Sequence, residues 1–405
     1  MKIVERLFLA YLLLKPFYLF DSGGLQIGDL FLLIAFALFI AISKFNKKSK
    51  KELVETIKSN KLFIIFTGLT LVINSMYFAY YGMSKFLMSS LYYIFIFFAI
   101  ALFSVLGKNK SFLVSVSKVL KFGLIAQLAI SLLGIGRDYG IDRYMGTFND
   151  PNQFGFYILI SYLFIYAINI VLSNNKKIDT PFLLMTLYLI FQSASTGSLL
   201  GITIFIILQI AYSMKDVFRI SYKKVRTIMI SLGVGLVVMA AGAVLVSNGA
   251  LASINPAIDQ FAADQTVANR VSGKISKADN EADITIWEDR GYDIIYKYPQ
   301  YIPFGAGEGN YDRYVKATNN YGNEIHATLP SMLFYYGIIP FLIIIGWFYG
   351  KAKNVDKRIL IVYIALFAES FILLNQRQSL FWMIFVLGGL YFTTKGFHKR
   401  DKSYE

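Results

Sequence analysis

Long apolar segments recur from one end of the chain to the other, and short polar connections separate them. Each segment approaches the roughly 20 residues with which an α-helix crosses the hydrocarbon core of a bilayer. The pattern predicts an all-α polytopic membrane protein, because a membrane barrel would show short segments of alternating polarity instead. We predict about twelve transmembrane helices, at residues 4–20, 28–44, 62–80, 86–106, 114–135, 154–173, 181–195, 197–213, 228–247, 329–349, 359–375 and 380–394.

One long polar interval interrupts this pattern and divides the chain into four parts. They are predicted helices 1–9 in residues 1–247, a loop at 248–328, predicted helices 10–12 in 329–394 and a tail at 395–405. The loop is expected to be large and partly helical, with short helices near 257–272 and within 281–298, the second suited to lie along the bilayer surface. A long structured loop beside a membrane usually carries function.

The number of membrane spans has one open alternative. The predicted helices at 181–195 and 197–213 are short, and only a small polar segment around Thr196 separates them. A re-entrant hairpin there, in place of two full crossings, would give ten or eleven spans.

Composition and charge placement agree with a membrane protein and set its orientation. The chain has 56% hydrophobic and only 16% charged residues, with a net charge of +15. Of the 40 Lys and Arg, 28 lie at the amino terminus, in every second connection or in the tail. This bias predicts cytoplasmic termini and an outward-facing loop, and it argues against nucleic acid as a partner. With no cysteine, disulfides and thiolate metal sites are excluded, and we expect no metal or cofactor.

Three side chains are predicted to meet at the outer face, each near the end of a span or on the surface helix: Arg143, Arg290 and His326. Guanidinium groups can neutralise a lipid-linked diphosphate where no metal is present. An imidazole at a helix amino terminus tends to stay neutral and can therefore accept a proton. Taken singly, however, such arginines are often interface anchors, and such a histidine is often a capping residue.

Other polar positions have structural interpretations. Asp150, followed by Pro151 and by Gln153, predicts a capping box that begins the sixth span. Lys15 is predicted to extend its ammonium to the membrane surface, and Glu369 to form a buried ion pair with Arg377. The glycine-rich segment at 303–310 predicts a tight turn, and Thr328 with Pro330 predicts the cap and first turn of the tenth span.

These residues lie in segments that resemble a known superfamily. Residues 143–152 read RYMGTFNDPN, similar to an Arg-x-x-Gly-x-Phe-x-x-Pro-Asn motif, and 192–201 take the place of a Ser-Arg-Gly-like helix start. Arg290, followed by the turn PFGAGEGN at 303–310, is similar to an arginine that this superfamily has in its long loop. His326, which precedes a Leu-rich helix, is similar to the histidine of the same loop. From about 141 to 340 the chain resembles the O-antigen ligase and O-antigen polymerase (Wzy) superfamily of lipid-dependent membrane glycosyltransferases.

The resemblance implies a bacterial inner-membrane enzyme of lipopolysaccharide or related polysaccharide biosynthesis, with its active site facing the periplasm. Such an enzyme joins undecaprenyl-pyrophosphate-linked oligosaccharide units, by inverting and metal-independent transfer. The lipid-linked donor and acceptor and the membrane lipid are then its partners, and a chain-length regulator protein is a further candidate. The catalytic residues would be His326, Arg290 and Arg143.

The chain departs from the family pattern in two places. Thr196 stands where the family commonly has an arginine, so Arg377 or Arg313 is predicted to supply the missing cation. Ala327 stands where an asparagine often follows the histidine, which leaves the acceptor contacts open. The full set of predicted substrate-binding residues is Asn152, Tyr311, Arg313, Glu324 and Arg377.

Two alternatives stay open at this point. A ligase would use the same chemistry to transfer finished glycan to a lipid A-core acceptor. A flippase or other transporter of lipid-linked glycans belongs to a different class, and it would predict internal repeats and polar residues along a central path. The sequence shows no repeat and few charges within spans, which favours the polymerase over a transporter.

Overall fold

The structure is a computed structural model that describes residues 1–18, 26–139, 143–173, 179–218, 290–314, 324–353 and 355–390. Several predictions fall outside these ranges: the ninth span at 228–247, the short helix near 257–272, most of the surface helix at 281–298, and the tail.

The described part of the chain is mainly helical and contains one short hairpin. The helices up to residue 218 are α1 Lys2–Leu14, α2 Ile27–Phe45, α3 Lys47–Ser59, α4 Lys61–Tyr81, α5 Lys85–Leu106, α6 Lys110–Leu132, α7 Pro151–Ser173, α8 Thr180–Ser193 and α9 Thr196–Phe218. An antiparallel pair, β1 Arg137–Asp138 and β2 Tyr144–Gly146, lies between α6 and α7. Then come α10 Asp293–Lys297, the 3-10 turns Pro299–Tyr301 and Tyr311–Arg313, α11 Thr328–Tyr336, α12 Ile338–Ala352, α13 Lys357–Glu369 and α14 Ser379–Ile384.

Six of the described helices are long and apolar enough to cross a membrane: α2, α4, α5, α6, α7 and α9. Three other apolar helical segments are shorter: α8, α12 and Ser379–Leu390. Helix α7 lies at the centre, since 89% of its apolar stretch is buried, against 22% for α4. The described part of the chain is therefore a helical bundle with the composition of a multi-pass membrane protein.

Helix α3 replaces what the sequence predicted only as a polar connection between two spans. The side chain of Asn46 caps it by accepting from the backbone N–H groups of Lys48 and Ser49, at 2.9 and 3.1 Å. Its lysines are exposed, while Ser49 and Thr56 face the bundle. A search for long apolar segments passes over such a helix because its buried face is narrow and polar.

The predicted span at 329–349 is broken into α11 and α12 at Gly337, which has a φ of 79°. The loop before α11 packs into this break: Ile338 donates its N–H to the Ile302 carbonyl at 2.9 Å. A Cβ at Gly337 would lie 2.7 Å from the Gly305 nitrogen. The positive φ and the close approach of the Gly305 backbone both require glycine at this position. Since the loop packs directly against Gly337, the break between α11 and α12 depends on that loop.

The predicted span at 359–375 is helical only to Glu369, and the chain then runs through a partly buried non-helical stretch at 370–378. Two of its carbonyls, on Ser370 and Leu373, accept from the Thr328 N–H, at 2.8 and 3.0 Å. Helix α14 follows this stretch and begins an apolar helical segment that reaches Leu390, so the predicted span at 380–394 is helical over most of its described part. Backbone outside a helix is tolerated inside a membrane protein where other protein groups satisfy it.

Candidate functional site

One cavity of about 1070 Å³ collects most of the predicted site residues. Six of the eight line it: Arg143, Asn152, Arg290, Glu324, His326 and Arg377. They come from four separate parts of the chain, so the cavity exists only because the bundle brings these parts together. The other two predicted residues, Tyr311 and Arg313, are not among the lining residues.

Arg143 enters the cavity from the start of the β2 strand. Its guanidinium donates to the Asn152 side-chain oxygen at 2.8 Å and to the Ser193 carbonyl at 3.2 Å. Asp150 fixes Asn152 by accepting the Asn152 N–H at 2.7 Å, which caps α7 as predicted. The reciprocal half of the predicted capping box is not formed, because the Gln153 side-chain oxygen has no hydrogen-bond partner among the described residues. Asn152, predicted to bind substrate, therefore also orients Arg143.

Arg290 and His326 are joined through the backbone. The His326 N–H donates to the Arg290 carbonyl at 2.9 Å. Gly291, with a φ of 73°, allows this approach, since a Cβ there would lie 2.8 Å from the Glu324 carbonyl oxygen. The Arg290 guanidinium donates to the Thr196 hydroxyl at 3.0 Å and to the Ile372 carbonyl at 3.1 Å. Arg290 is thus held between the first residue of α9 and the 370–378 stretch.

His326 is half-buried and lies two residues before the first residue of α11. The prediction that Thr328 caps this helix is wrong, because Ala327 occupies the N-cap position. The Thr328 hydroxyl instead donates to the Leu373 carbonyl at 2.7 Å, which satisfies a buried oxygen of the non-helical stretch. Pro330 lies in the first turn, as predicted.

Arg377 is held by two carboxylates of the long polar loop. It donates from Nε to Glu308 at 3.0 Å and from Nη2 to Glu324 at 3.0 Å. Burial alone would lower the pKa of Arg377, but the carboxylates of Glu308 and Glu324 raise it well above its ordinary value. The predicted pair of Glu369 with Arg377 is wrong: the Glu369 carboxylate accepts from the Asn375 side-chain amide at 2.8 Å.

Glu308 is a residue that the sequence analysis missed. Only 1% of it is exposed, and it also accepts from the Gln376 amide at 3.1 Å and bonds the Tyr336 hydroxyl. Its N–H donates to the Asn74 side chain at 2.9 Å, which places the glycine-rich turn within the bundle. The one sequence signal was its position, a carboxylate between Gly307 and Gly309 in the turn.

Tyr311 and Arg313, predicted to bind substrate, lie beside the cavity, where Arg313 contacts the glycine-rich turn and Tyr311 contacts Arg377. Arg313 donates to the Ala306 and Asn310 carbonyls at 2.7 and 2.8 Å, and its guanidinium lies 5.0 Å from the Tyr77 ring centre. The Tyr311 hydroxyl accepts from Arg377 at 2.6 Å. Burial, with Glu308 adding to it, raises the pKa of Tyr311, so its hydroxyl stays protonated.

The predicted extension of Lys15 to the membrane surface is also wrong. Its ammonium lies 3.0 Å from an Asp29 carboxylate oxygen, and only 8% of the residue is exposed. Both residues line the cavity. The sequence did contain a signal for Asp29, because a carboxylate three residues after Gln26 at the start of an apolar helix indicates a capping residue.

The carboxylates that line the cavity are each engaged within the protein. Asp29 pairs with Lys15, Asp150 caps α7, and Glu324 binds Arg377. The arginines and the His326 imidazole line the same cavity. The arginines suit the binding of an anionic ligand, and the imidazole can accept a proton from a group bound beside it.

Part of the cavity lining is apolar. Leu33 on α2 and Met88, Leu91, Phe95 and Phe98 on α5 form this apolar wall. Met88 and Leu91 are partly accessible, with 47% and 51% of their surface exposed. The cavity lining therefore combines charged groups with an apolar wall.

A scan against protein-family models finds no match to this chain, and a search of curated proteins finds no significant match.

Proposed function

We propose that this protein is a multi-pass membrane glycosyltransferase that joins lipid-linked oligosaccharide units into a longer surface polysaccharide. The observation that carries the proposal is the meeting of Arg143, Arg290 and His326 in one cavity. These residues are far apart in sequence, and their chemistry matches the binding of a diphosphate and the transfer of a proton. A cavity of about 1070 Å³ can hold a diphosphate and adjoining sugar rings.

The donor that fits this cavity has an anionic end and an apolar end. An undecaprenyl-pyrophosphate-linked glycan has both, because a diphosphate joins its isoprenoid chain to the sugar. Arg143 and Arg290 would bind the diphosphate with charge-assisted hydrogen bonds. The apolar wall on α2 and α5 would receive the first isoprene units, since it lines the same cavity as the two arginines.

The proposed reaction is a direct displacement at the anomeric carbon of the donor sugar. A hydroxyl of the acceptor glycan forms the new C–O bond while the bond to the diphosphate breaks, so the anomeric configuration inverts. His326 takes the hydroxyl proton, and the diphosphate leaves as an anion that Arg143 and Arg290 stabilise. Arg377, already held by Glu308 and Glu324, would contribute charge beside them.

We further propose twelve spans with both termini in the cytoplasm and the cavity at the periplasmic face of the inner membrane. The basic connections support this orientation, because Lys and Arg concentrate on the cytoplasmic side of membrane proteins. Helix α3, which carries a cluster of exposed lysines, lies in one of these connections. The cavity residues Arg143, Arg290 and His326 belong to connections on the other side in the predicted topology.

The test is glycan synthesis by purified protein in detergent with lipid-linked oligosaccharide as the sole substrate. His326→Ala should reduce the rate about 10²–10⁴-fold, the usual contribution of a positioned base. Substitution of the other histidine, His398→Ala, is the matched control and should leave the rate unchanged. Products longer than one repeat unit from His326→Ala at the rate of the unmodified protein would contradict the assignment.

The same assay separates the alternatives. A ligase forms no product until a lipid A-core acceptor is added, whereas a polymerase extends the lipid-linked units alone. A flippase forms no glycosidic bond under either condition.

A further inference from the structure

Lys15 and Asp29 form a buried ion pair at the corner between α1 and α2. The side chains are 10% and 5% exposed, and both residues line the cavity. The mechanism proposed above uses neither of them. A buried pair of this kind is often no more stabilising than apolar residues of the same size, so stability alone gives little reason for it.

The two partners differ in how firmly they are held. Asp29 is fixed, because its second carboxylate oxygen accepts the Gln26 N–H at 2.9 Å in the cap of α2. The Lys15 ammonium lies on a four-carbon chain and rests 5.7 Å from the Tyr11 ring centre. Lysine is a flexible point charge with rotatable donors. The ammonium is therefore the partner that can turn toward another anion.

The corner itself does not depend on the ion pair. Helices α1 and α2 meet at Gly28, where a Cβ would lie 3.3 Å from the Lys15 backbone nitrogen. The cap of α2 involves Gln26 and Asp29 alone. Backbone packing and capping thus already define how the two helices meet.

Lys15 and Arg143 both line the cavity, and the segments that carry them are bonded to each other. The segment after Lys15 is fastened to the connection that follows β2: the Tyr18 N–H donates to the Thr147 carbonyl at 3.1 Å. The Tyr18 and Phe148 rings also pack, with centres 4.9 Å apart. This connection leads from Arg143 to the start of α7, so both cations are carried by parts that are bonded to each other.

We propose that Lys15 is a further ligand of the donor diphosphate, held by Asp29 until the diphosphate arrives. The ammonium then turns from the carboxylate to a phosphate oxygen, and no covalent bond changes. This inference rests on the proposed function, because it assumes that Arg143 and Arg290 bind the same diphosphate. Loss of one charge-assisted contact should weaken diphosphate binding about 10–100-fold.

The experiment measures the binding of undecaprenyl pyrophosphate, which carries no sugar, to purified protein in detergent. The double variant Lys15→Met with Asp29→Asn removes both charges and leaves no buried charge without a partner. We expect its Kd to rise about 10–100-fold while its Tm stays near that of the unmodified protein. The matched control is Lys121→Met with Asp179→Asn, an ion pair of 2.6 Å that does not line the cavity. Its Kd should not change.

A second variant decides the matter if the double variant does not fold. Asp29→Asn alone keeps the lysine and removes its carboxylate partner, so undecaprenyl pyrophosphate should raise the Tm of this variant more than that of the unmodified protein. An equal Tm shift would mean that Lys15 does not reach the diphosphate. An unchanged Kd in the folded double variant would overturn the inference as well.

Failure of this inference is distinguishable from failure of the proposed function. If the unmodified protein binds undecaprenyl pyrophosphate and elongates lipid-linked units, but the Lys15 variants bind equally well, only the role of Lys15 is lost. If the unmodified protein neither binds the diphosphate nor forms product, the proposed function is lost with it.

Discussion

Gly291→Ala tests whether the contact between the Arg290 and His326 segments sets the geometry of the site. A residue other than glycine at a φ of 73° costs about 1–2 kcal/mol. The new Cβ would also lie 2.8 Å from the Glu324 carbonyl oxygen and 3.2 Å from the Ile325 Cα. Because both are backbone atoms, the segment that carries His326 must move away from Arg290.

A displacement of about 1 Å at a reacting group can reduce a rate about 10²-fold. We therefore expect Gly291→Ala to lower kcat for glycan transfer by about that factor and the free energy of unfolding by about 1–3 kcal/mol. Arg143 lies in another part of the chain and should keep its hydrogen bonds to Asn152 and Ser193, so donor binding should weaken less than turnover.

The assay compares kcat, KM for the lipid-linked donor and Tm between Gly291→Ala and Gly350→Ala. Gly350 lies in α12, and a Cβ there would meet no atom within 4 Å. The control should therefore keep the rate and gain slightly in stability. If Gly291→Ala turns over at the rate of the control, the backbone contact between the two segments does not position the catalytic groups.

Two further variants test the partners of the arginines. Breaking a buried ion pair costs about 3–5 kcal/mol; for Glu308→Gln we expect the lower end, since Arg377 keeps Glu324 and 33% of its side chain is exposed. Thermal unfolding in detergent measures this loss, and a Tm equal to that of the unmodified protein would contradict it. Thr196→Val removes an acceptor 3.0 Å from Arg290 without changing the side-chain shape, so kcat/KM should fall about 10-fold with little change in Tm. An unaltered kcat/KM would show that the Ile372 carbonyl alone suffices to orient Arg290.

The helices of the first half follow closely from the sequence. The predicted span at 28–44 corresponds to α2, and the one at 62–80 corresponds to α4, each within one residue. A long apolar run defines such a helix without reference to the rest of the chain. The predicted spans at 329–349 and 359–375 differ because their breaks depend on distant partners. Gly337 interrupts a helix only because the turn that contains Gly305 packs against it.

The candidate site shows the same division between local and distant information. Arg143, Arg290 and His326 could be selected from residue type and predicted topology. Glu308 could not be matched to Arg377 from sequence, since 69 residues separate them and the sequence favoured Glu369. Sequence patterns show which charges are unusual in an apolar chain, but the pairing of those charges is decided by packing.

Main-chain groups make many of the bonds between the segments that carry the site residues. The Ala306 and Gly307 N–H groups donate to the Phe334 and Tyr335 carbonyls, at 3.0 and 2.8 Å. The links from His326 and Thr328 to neighbouring segments described above are of the same kind. Such bonds survive the exchange of most amino acids, so the lining can be altered while its framework persists. A collection of variants at Tyr92, Leu374 and Gln378, which line the cavity, is thus a practical route to catalysts that accept other glycans.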